Sequence, residues 1–199
     1  GKTKGFTIGC HRSQEAYPAV IAQQLQPTEF HFLACSGAVI DNVWLSSTNS
    51  VSTVMEDRNE IPQMEQGYLT PQTNAVSIGI GGNDVGFADT VKQCELADCT
   101  GAEFGTSVLI EGLRQKYVGM FQEIRTRVAP DASIVAVGYP LLFSPTFNPV
   151  SLPCLPGFDA GEKAMVGRLG VQLNQVIEDA AAVAGIQFYD PNTRYTDND

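Results

Sequence analysis

Apolar positions along this chain fall into two patterns, short runs and longer stripes at helical spacing. The short runs, bounded by turn residues, predict strands over residues 29–34, 74–80, 133–137 and 186–189. The stripes predict helices over residues 13–25, 39–44, 85–94, 106–128 and 161–184, with one or two further helical turns within 60–66. Strands that alternate with helices are typical of a parallel sheet covered by helices on both faces, so the pattern predicts the α/β class.

Length and charge narrow the possible functions. The chain has 199 residues, enough for a substantial core, and no repeat or linker divides it, so we expect a single domain over residues 1–199. The net charge of −10 argues against nucleic acid and anionic membrane surfaces as partners, because both attract basic patches. No apolar run approaches the length that spans a membrane. The sequence does not open with a charged segment followed by an apolar run, so we expect that any signal peptide is already removed.

Five cysteines bear on redox compartment and metal chemistry: Cys10, Cys35, Cys94, Cys99 and Cys154. None lies in a Cys-x-x-Cys motif and the chain has only two histidines, so we expect no metal site. Disulfides are one interpretation, with Cys94 and Cys99 closing a local loop, Cys10 tied to Cys35, and Cys154 unpaired. Five reduced thiols in a cytosolic protein are the other interpretation.

The segment most suggestive of chemistry is Gly81-Gly82-Asn83-Asp84, which follows the strand predicted over 74–80. Ligands of open α/β sheets bind at the carboxyl ends of the strands. An Asn side chain held there can donate to an oxygen that gains negative charge during acyl transfer. The alternative is an ordinary turn in which Asp84 caps the next helix. A dinucleotide site fits poorly, because Asp84 stands where G-x-G-x-x-G needs its third glycine.

A long loop follows the strand predicted over 133–137, at the same edge of the sheet. Residues 141–160 contain four prolines and the aromatic residues Phe143, Phe147 and Phe158. Structured loops of this length are uncommon and are often functional, so these three aromatic residues are candidates for substrate binding. The alternative is a proline-stiffened cover over the edge of the sheet.

Four segments, in this order, resemble the sequence blocks of one known family. They are Cys10-His11-Arg12-Ser13, Phe32-Leu33-Ala34-Cys35-Ser36-Gly37-Ala38, Gly81-Gly82-Asn83-Asp84 and Val137-Gly138-Tyr139-Pro140. They resemble the secreted lipases and esterases of the SGNH (GDSL-type) hydrolase superfamily, in its actinobacterial and fungal branch. The resemblance spans nearly the whole chain. It implies a three-layer, flavodoxin-like fold and a secreted enzyme without a cofactor, and we expect a monomer.

The family's chemistry implies roles for individual residues. In such enzymes a serine in a Gly-Asp-Ser turn attacks a carboxylic ester and a histidine near the C-terminus is its base. The resemblance assigns Gly37 and Asn83 to the oxyanion hole that stabilises the intermediate. It also implies the disulfides Cys10–Cys35 and Cys94–Cys99, and a partner for Cys154 outside this sequence.

The sequence departs from the family pattern at both ends. It contains no Gly-Asp-Ser and no Asp-x-x-His. We therefore expect an internal segment of a longer esterase or lipase, without the first strand and inactive by itself. A catalytically dead SGNH-like binding or structural module is the alternative. Two further options are a Ser36/His11 pair, for which no G-x-S-x-G motif is present, and a flavodoxin-like cofactor binder, for which a phosphate loop is missing.

Overall fold

The computed structural model describes residues 9–44, 61–143 and 158–194. Within these residues, six α-helices and three strands follow one another in alternating groups. The helices are α1 (Tyr17–Leu25), α2 (Ile40–Val43), α3 (Phe87–Leu96), α4 (Glu103–Gly112), α5 (Arg114–Arg127) and α6 (Ala160–Ala184). The strands are β1 (Ala75–Ile78), β2 (Ser133–Val137) and β3 (Gln187–Tyr189). Short 3₁₀ turns lie at Gln63–Glu65, Thr100–Ala102 and Pro191–Arg194.

The three strands form one parallel sheet in the order β1-β2-β3. Ala75 lies opposite Ser133, and Val135 lies opposite Gln187. Helices connect each strand to the next, because parallel neighbours need a long crossover connection. The carboxyl ends of all three strands therefore lie at one edge of the sheet. Residues 79–84, 138–141 and 190–192 leave the sheet at that edge.

The core lies between the sheet and the two longest helices. Helix α5 packs on α6, and α6 packs on β2 and β3. Burying each large apolar side chain of this core contributes about 1.5–3 kcal/mol. The buried residues of this region include Tyr117, Met120, Phe121 and Ile124 on α5, Met165, Leu169, Leu173 and Ile177 on α6, and Ile134 and Ala136 on β2.

Helix α6 has strong signals at both of its ends. Asp159 accepts a hydrogen bond from the Glu162 N–H at 2.8 Å, and Glu162 accepts one from the Asp159 N–H at 2.8 Å. This reciprocal pair is a capping box. Gly185 ends the helix with φ at +67°, a left-handed conformation that favours glycine. These signals explain why the sequence locates the helix to within one residue.

The structure confirms the α/β class and the parallel sheet, but the strand predicted over 29–34 is wrong. Among these residues only His31 makes an isolated β-bridge. The carbonyl oxygens of Leu33 and Ala34 accept hydrogen bonds from the Arg12 guanidinium, at 3.2 and 2.7 Å. A side chain thus occupies backbone acceptors that a strand would use for its neighbour.

The single helix predicted over 106–128 is also wrong, because two helices meet at Leu113. The Leu113 N–H donates to the Ile110 carbonyl, three residues back, which tightens the chain into a 3₁₀-type turn. The apolar stripe runs through this break, since Leu113 and Tyr117 are both buried. Periodicity alone therefore reads the two helices as one.

Two smaller differences concern where helices begin. Helix α1 starts at Tyr17, with Pro18 in its first turn. Helix α3 starts at Phe87 because Gly86 takes φ of +63° and is not helical. No helix within the described ranges is long and apolar enough to cross a membrane.

Candidate active site

The turn after β1 is fixed by contacts that only glycines permit. The Tyr117 hydroxyl donates to the Ile80 carbonyl at 2.7 Å and lies against Gly81, which has φ of +114°. The Gly82 carbonyl accepts from the Phe87 N–H at 3.0 Å, which closes the turn onto α3. The turn presents the Asn83 side chain at the surface.

A second turn, at Gly37, precedes α2. Gly37 has φ of +82°, and the Ala38 N–H donates to the Cys35 carbonyl at 3.1 Å. The Ser36 N–H donates to the Cys10 carbonyl at 3.1 Å, so the two neighbouring segments are held side by side. Gly37 is exposed, and within the described ranges its N–H has no acceptor. This backbone N–H is therefore available to a ligand.

Two side chains of the first turn bind the second turn. The Asn83 Nδ2 donates to the Ala38 carbonyl at 2.9 Å. The Asp84 carboxylate accepts from the Ile40 N–H, at 3.0 and 3.2 Å to its two oxygens. The structure thus brings together Gly37 and Asn83, which are far apart in sequence. Asp84 contacts the start of α2, whereas the N-cap of α3 is Gly86 and no side chain caps that helix.

The Asn83 amide keeps a donor for a ligand. An Asn side chain carries two N–H donors, and one of them points to the Ala38 carbonyl. The other has no acceptor among the residues that the structure describes. The arrangement therefore offers two N–H groups, one from the Gly37 backbone and one from the Asn83 side chain, at the same sheet edge.

Burial shifts the pKa of Asp84, the acidic residue of this site. The pKa of Asp84 is raised from 3.8 to about 6, chiefly because its surroundings exclude water. The Ile40 N–H and the positive charge of Lys116 oppose this rise in pKa, and the negative charge of Asp41 adds to it. Asp84 thus titrates near neutrality, next to the residue that carries the amide donor.

Sequence reasoning missed Tyr139, the residue that ties the turn after β2 to this site. Its hydroxyl oxygen accepts from the Gly82 N–H at 3.0 Å. Burial raises the pKa of Tyr139, so its phenol stays neutral at physiological pH. The sequence signal for Tyr139 was its place directly after a strand, in the Gly138-Tyr139-Pro140 segment; nothing in it indicated a contact with Gly82.

A cavity of about 240 Å³ opens beside the turn after β1. Tyr139 is the polar side chain of its lining, and the others are apolar, including Phe87, Leu142, Val166 and Leu173. Gly82, the residue before Asn83, belongs to the wall of this cavity. A mostly apolar pocket with few polar groups is typical of a small-molecule site.

The aromatic residues predicted to bind substrate lie close to this cavity in sequence, but two of them are buried. Phe143 and Phe158 are 3% and 7% exposed, and their ring centroids are 5.4 Å apart. Both pack into the hydrophobic core. Phe147 lies outside the described residues. Substrate contact by these three residues stays a prediction.

The cysteines lie as expected where the structure describes them. Cys10 and Cys35 form one disulfide and Cys94 and Cys99 form another, with Cα separations of 4.3 and 4.9 Å. Cys154 lies outside the described residues. These bonds fix the Gly37 turn and the end of α3.

One group in the described part of the chain has the side chains of a metal site: Cys94, Cys99 and Glu162, whose ligand atoms lie within 4.8 Å of one another. Both sulfur atoms are bonded to each other, so neither is a thiolate ligand. Glu162 accepts from the Cys99 N–H at 3.2 Å and from the Asp159 N–H at 2.8 Å. This cluster connects the disulfide loop to α6 and has a structural role.

The parallel sheet, and the turns that meet at its carboxyl edge, define an α/β protein with a candidate ligand site at that edge. The model of the GDSL-like lipase/acylhydrolase family matches residues 3–199. The chain belongs to this family.

Curated relatives agree with this assignment. The chain is 31% identical over 191 residues to Lipase 1 of Streptomyces coelicolor, and 29% identical over 189 residues to a lipase of Streptomyces rimosus. Each alignment covers 94% of this chain and 62% of the relative. The chain thus spans about three fifths of the length of the curated relatives it matches.

Solved structures show the same fold. Phospholipase A1 from Streptomyces albidoflavus superposes with a TM-score of 0.77 at 30% identity, over 95% of this chain and 72% of that one. The extracellular lipase from Streptomyces rimosus superposes with a TM-score of 0.73 at 28% identity, with the same coverage.

Proposed function

We propose that the protein carrying this chain is a secreted serine hydrolase of carboxylic esters, and that Gly37 and Asn83 form its oxyanion hole. The observation that carries the proposal is the junction of the two turns. The Asn83 amide binds the carbonyl of Ala38, the residue after Gly37, and each turn keeps one N–H donor for a ligand. Family membership and the lipase and esterase relatives support the reaction class.

The reaction would proceed through an acyl-enzyme. A serine hydroxyl loses its proton to a histidine as its oxygen bonds to the ester carbonyl carbon, and the carbonyl oxygen becomes an oxyanion. The Gly37 N–H and the Asn83 amide would donate to that oxyanion, where preorganised donors act most strongly. The alcohol then leaves with the proton, and water releases the acid. The proposal assigns the serine and the histidine to parts of the protein beyond this chain.

The apolar cavity would hold a hydrocarbon part of the ester. Its wall includes Gly82, the residue before the proposed oxyanion donor Asn83, which supports an apolar binding region near the bound carbonyl. The two disulfides support a place outside the cell, because such bonds persist in oxidising compartments.

The substitution Asn83→Ala in the full-length protein tests the proposal. Removing one oxyanion donor lowers kcat by about 10²–10³ with little change in KM, because the donor acts on the transition state. Asn74→Ala is the matched control, since Asn74 is exposed at the opposite end of β1. An Asn83→Ala enzyme with the kcat of the parent protein would refute the assignment. Activity lost in Ser36→Ala would instead favour the Ser36/His11 pair.

A further inference from the structure

Two separate parts of the fold, helix α6 and the segment after β3, make hydrogen bonds to the backbone of Tyr139. Its N–H donates to the Asn174 Oδ1 at 2.7 Å, and its carbonyl accepts from the Asn174 Nδ2 at 2.8 Å. The same carbonyl accepts from the Asn192 Nδ2 at 3.0 Å. Asn174 is 7% exposed and lies within α6, so its amide forms a buried two-point contact that mimics a strand neighbour. The position of Tyr139 is therefore fixed from α6 and from the segment after β3.

The approach of Asn174 depends on a missing side chain. A Cβ on Gly138 would lie 2.9 Å from the Asn174 Oδ1 and 3.0 Å from the Phe188 ring. Any larger residue at position 138 would push the amide away from the Tyr139 backbone. The Asn174 contact is thus built into the packing of β2 against α6.

The side chain of Tyr139 connects its fixed backbone to the turn after β1. Its hydroxyl oxygen accepts the Gly82 N–H at 3.0 Å, and a Cβ on Gly82 would come within 3.3 Å of the ring. On its other side, the Gly82 carbonyl accepts the Phe87 N–H at 3.0 Å. Gly82 is held at both its N–H and its carbonyl, and it directly precedes Asn83.

We propose that Tyr139, clamped by Asn174, is a positioning residue that sets the orientation of the Asn83 amide through the Gly82 peptide. The inference rests on the proposed oxyanion role of Asn83. In this scheme Tyr139 lines the cavity for the hydrocarbon part of the ester, and its effect on the reacting carbonyl passes through Gly82. It acts by fixing the Gly81–Gly82 peptide, one residue before Asn83, and a misplacement of about 1 Å at such a site lowers a rate by up to about 10²-fold.

The substitution Tyr139→Phe isolates the hydroxyl and keeps the ring. In the full-length protein we expect kcat to fall about tenfold and KM to stay within about twofold, because the hydroxyl acts through a transition-state donor and the ring that lines the cavity is kept. Tyr189→Phe is the matched control; Tyr189 is partly exposed on β3, and that variant should keep the parent kcat.

A double-mutant cycle separates positioning from a general structural role. If Tyr139 acts through Asn83, Tyr139→Phe should lower kcat by less than about twofold once Asn83→Ala is present. A full tenfold loss in both backgrounds would overturn the inference and leave the role of Asn83 intact. If Asn83→Ala itself leaves kcat unchanged, the proposed function and this inference both fail.

A second variant tests the clamp from the side of α6. Asn174→Asp keeps the acceptor for the Tyr139 N–H and removes the donor to the Tyr139 carbonyl. Asn174→Asp should lower kcat, as Tyr139→Phe does. Like Tyr139→Phe, it should have little effect on kcat in the Asn83→Ala background. An Asn174→Asp enzyme that folds and keeps the parent kcat would count against the clamp.

Discussion

Gly81 is the position where a single methyl group should disturb the site most. Its φ of +114° is strained for any residue with a Cβ, which costs about 1–3 kcal/mol. A Cβ there would also lie 2.8 Å from Tyr117 Cζ and would collide with the hydroxyl oxygen. Tyr117 would then have to give up its hydrogen bond to the Ile80 carbonyl. A buried acceptor left without its partner costs about 1–3 kcal/mol.

Gly81→Ala should therefore lower the free energy of unfolding by about 2–6 kcal/mol, or the melting temperature by about 10 °C. Gly185→Ala is the matched control. Gly185 has a positive φ of +67° with nothing within 4 Å of its added Cβ, so the backbone strain is present without the collision. We expect a loss of about 1–2 kcal/mol there. Thermal unfolding followed by circular dichroism measures both variants.

The collision itself can be tested with Tyr117. If the Tyr117 hydroxyl is the obstacle, Gly81→Ala should destabilise a Tyr117→Phe protein less than it destabilises the parent protein. Equal melting temperatures for Gly81→Ala and Gly185→Ala, or an unchanged loss in the Tyr117→Phe background, would refute this account of the turn.

Two further predictions concern pH and disulfides. The pKa of Asp84 in the folded protein is raised from 3.8 to about 6. The contribution of Asp84 to the free energy of unfolding therefore falls as the pH rises through that range. The melting temperature of Asp84→Asn, relative to that of the parent protein, should accordingly increase between pH 4 and 7. A difference that is independent of pH would contradict the buried carboxyl. Replacing Cys10 and Cys35 by Ser should lower the unfolding free energy by about 3.5 kcal/mol, against about 2 kcal/mol for the Cys94 and Cys99 pair, because their sequence separations are 25 and 5. Urea unfolding measures both, and equal losses would be inconsistent with the loop-entropy argument.

Local signals made part of the fold predictable. Strand β2 has the bounds expected from its apolar run, and α6 is delimited by the Asp159 box and by Gly185. The break at Leu113 was not predictable from periodicity, since the apolar stripe continues across it. The strand predicted over 29–34 failed for a tertiary reason, because Arg12 reaches its carbonyls from more than 20 residues away.

Some residues of the candidate site could likewise be predicted from the sequence, and others could not. Asn83 and Gly37 could be singled out because glycine-rich turns after strands have a recognisable composition and resemble family blocks. Tyr139 contacts Gly82 across 57 positions, and no local pattern encodes that contact. Asn174 did leave a signal, a polar amide beside Leu173 in the buried stripe of α6. A buried Asn requires hydrogen-bond partners, and the sequence could not say which backbone supplies them.

The clamp on Tyr139 also affects when the site can form during folding. Its contacts join residues 35, 53 and 57 positions apart, and each depends on parallel strands whose pairing is intrinsically slow. A folding intermediate with only β1 and α3 in place would have the Asn83 turn without the residue that orients it. We therefore expect the proposed oxyanion hole to form late in folding, once β3 docks and the segment after it brings Asn192 to the Tyr139 carbonyl.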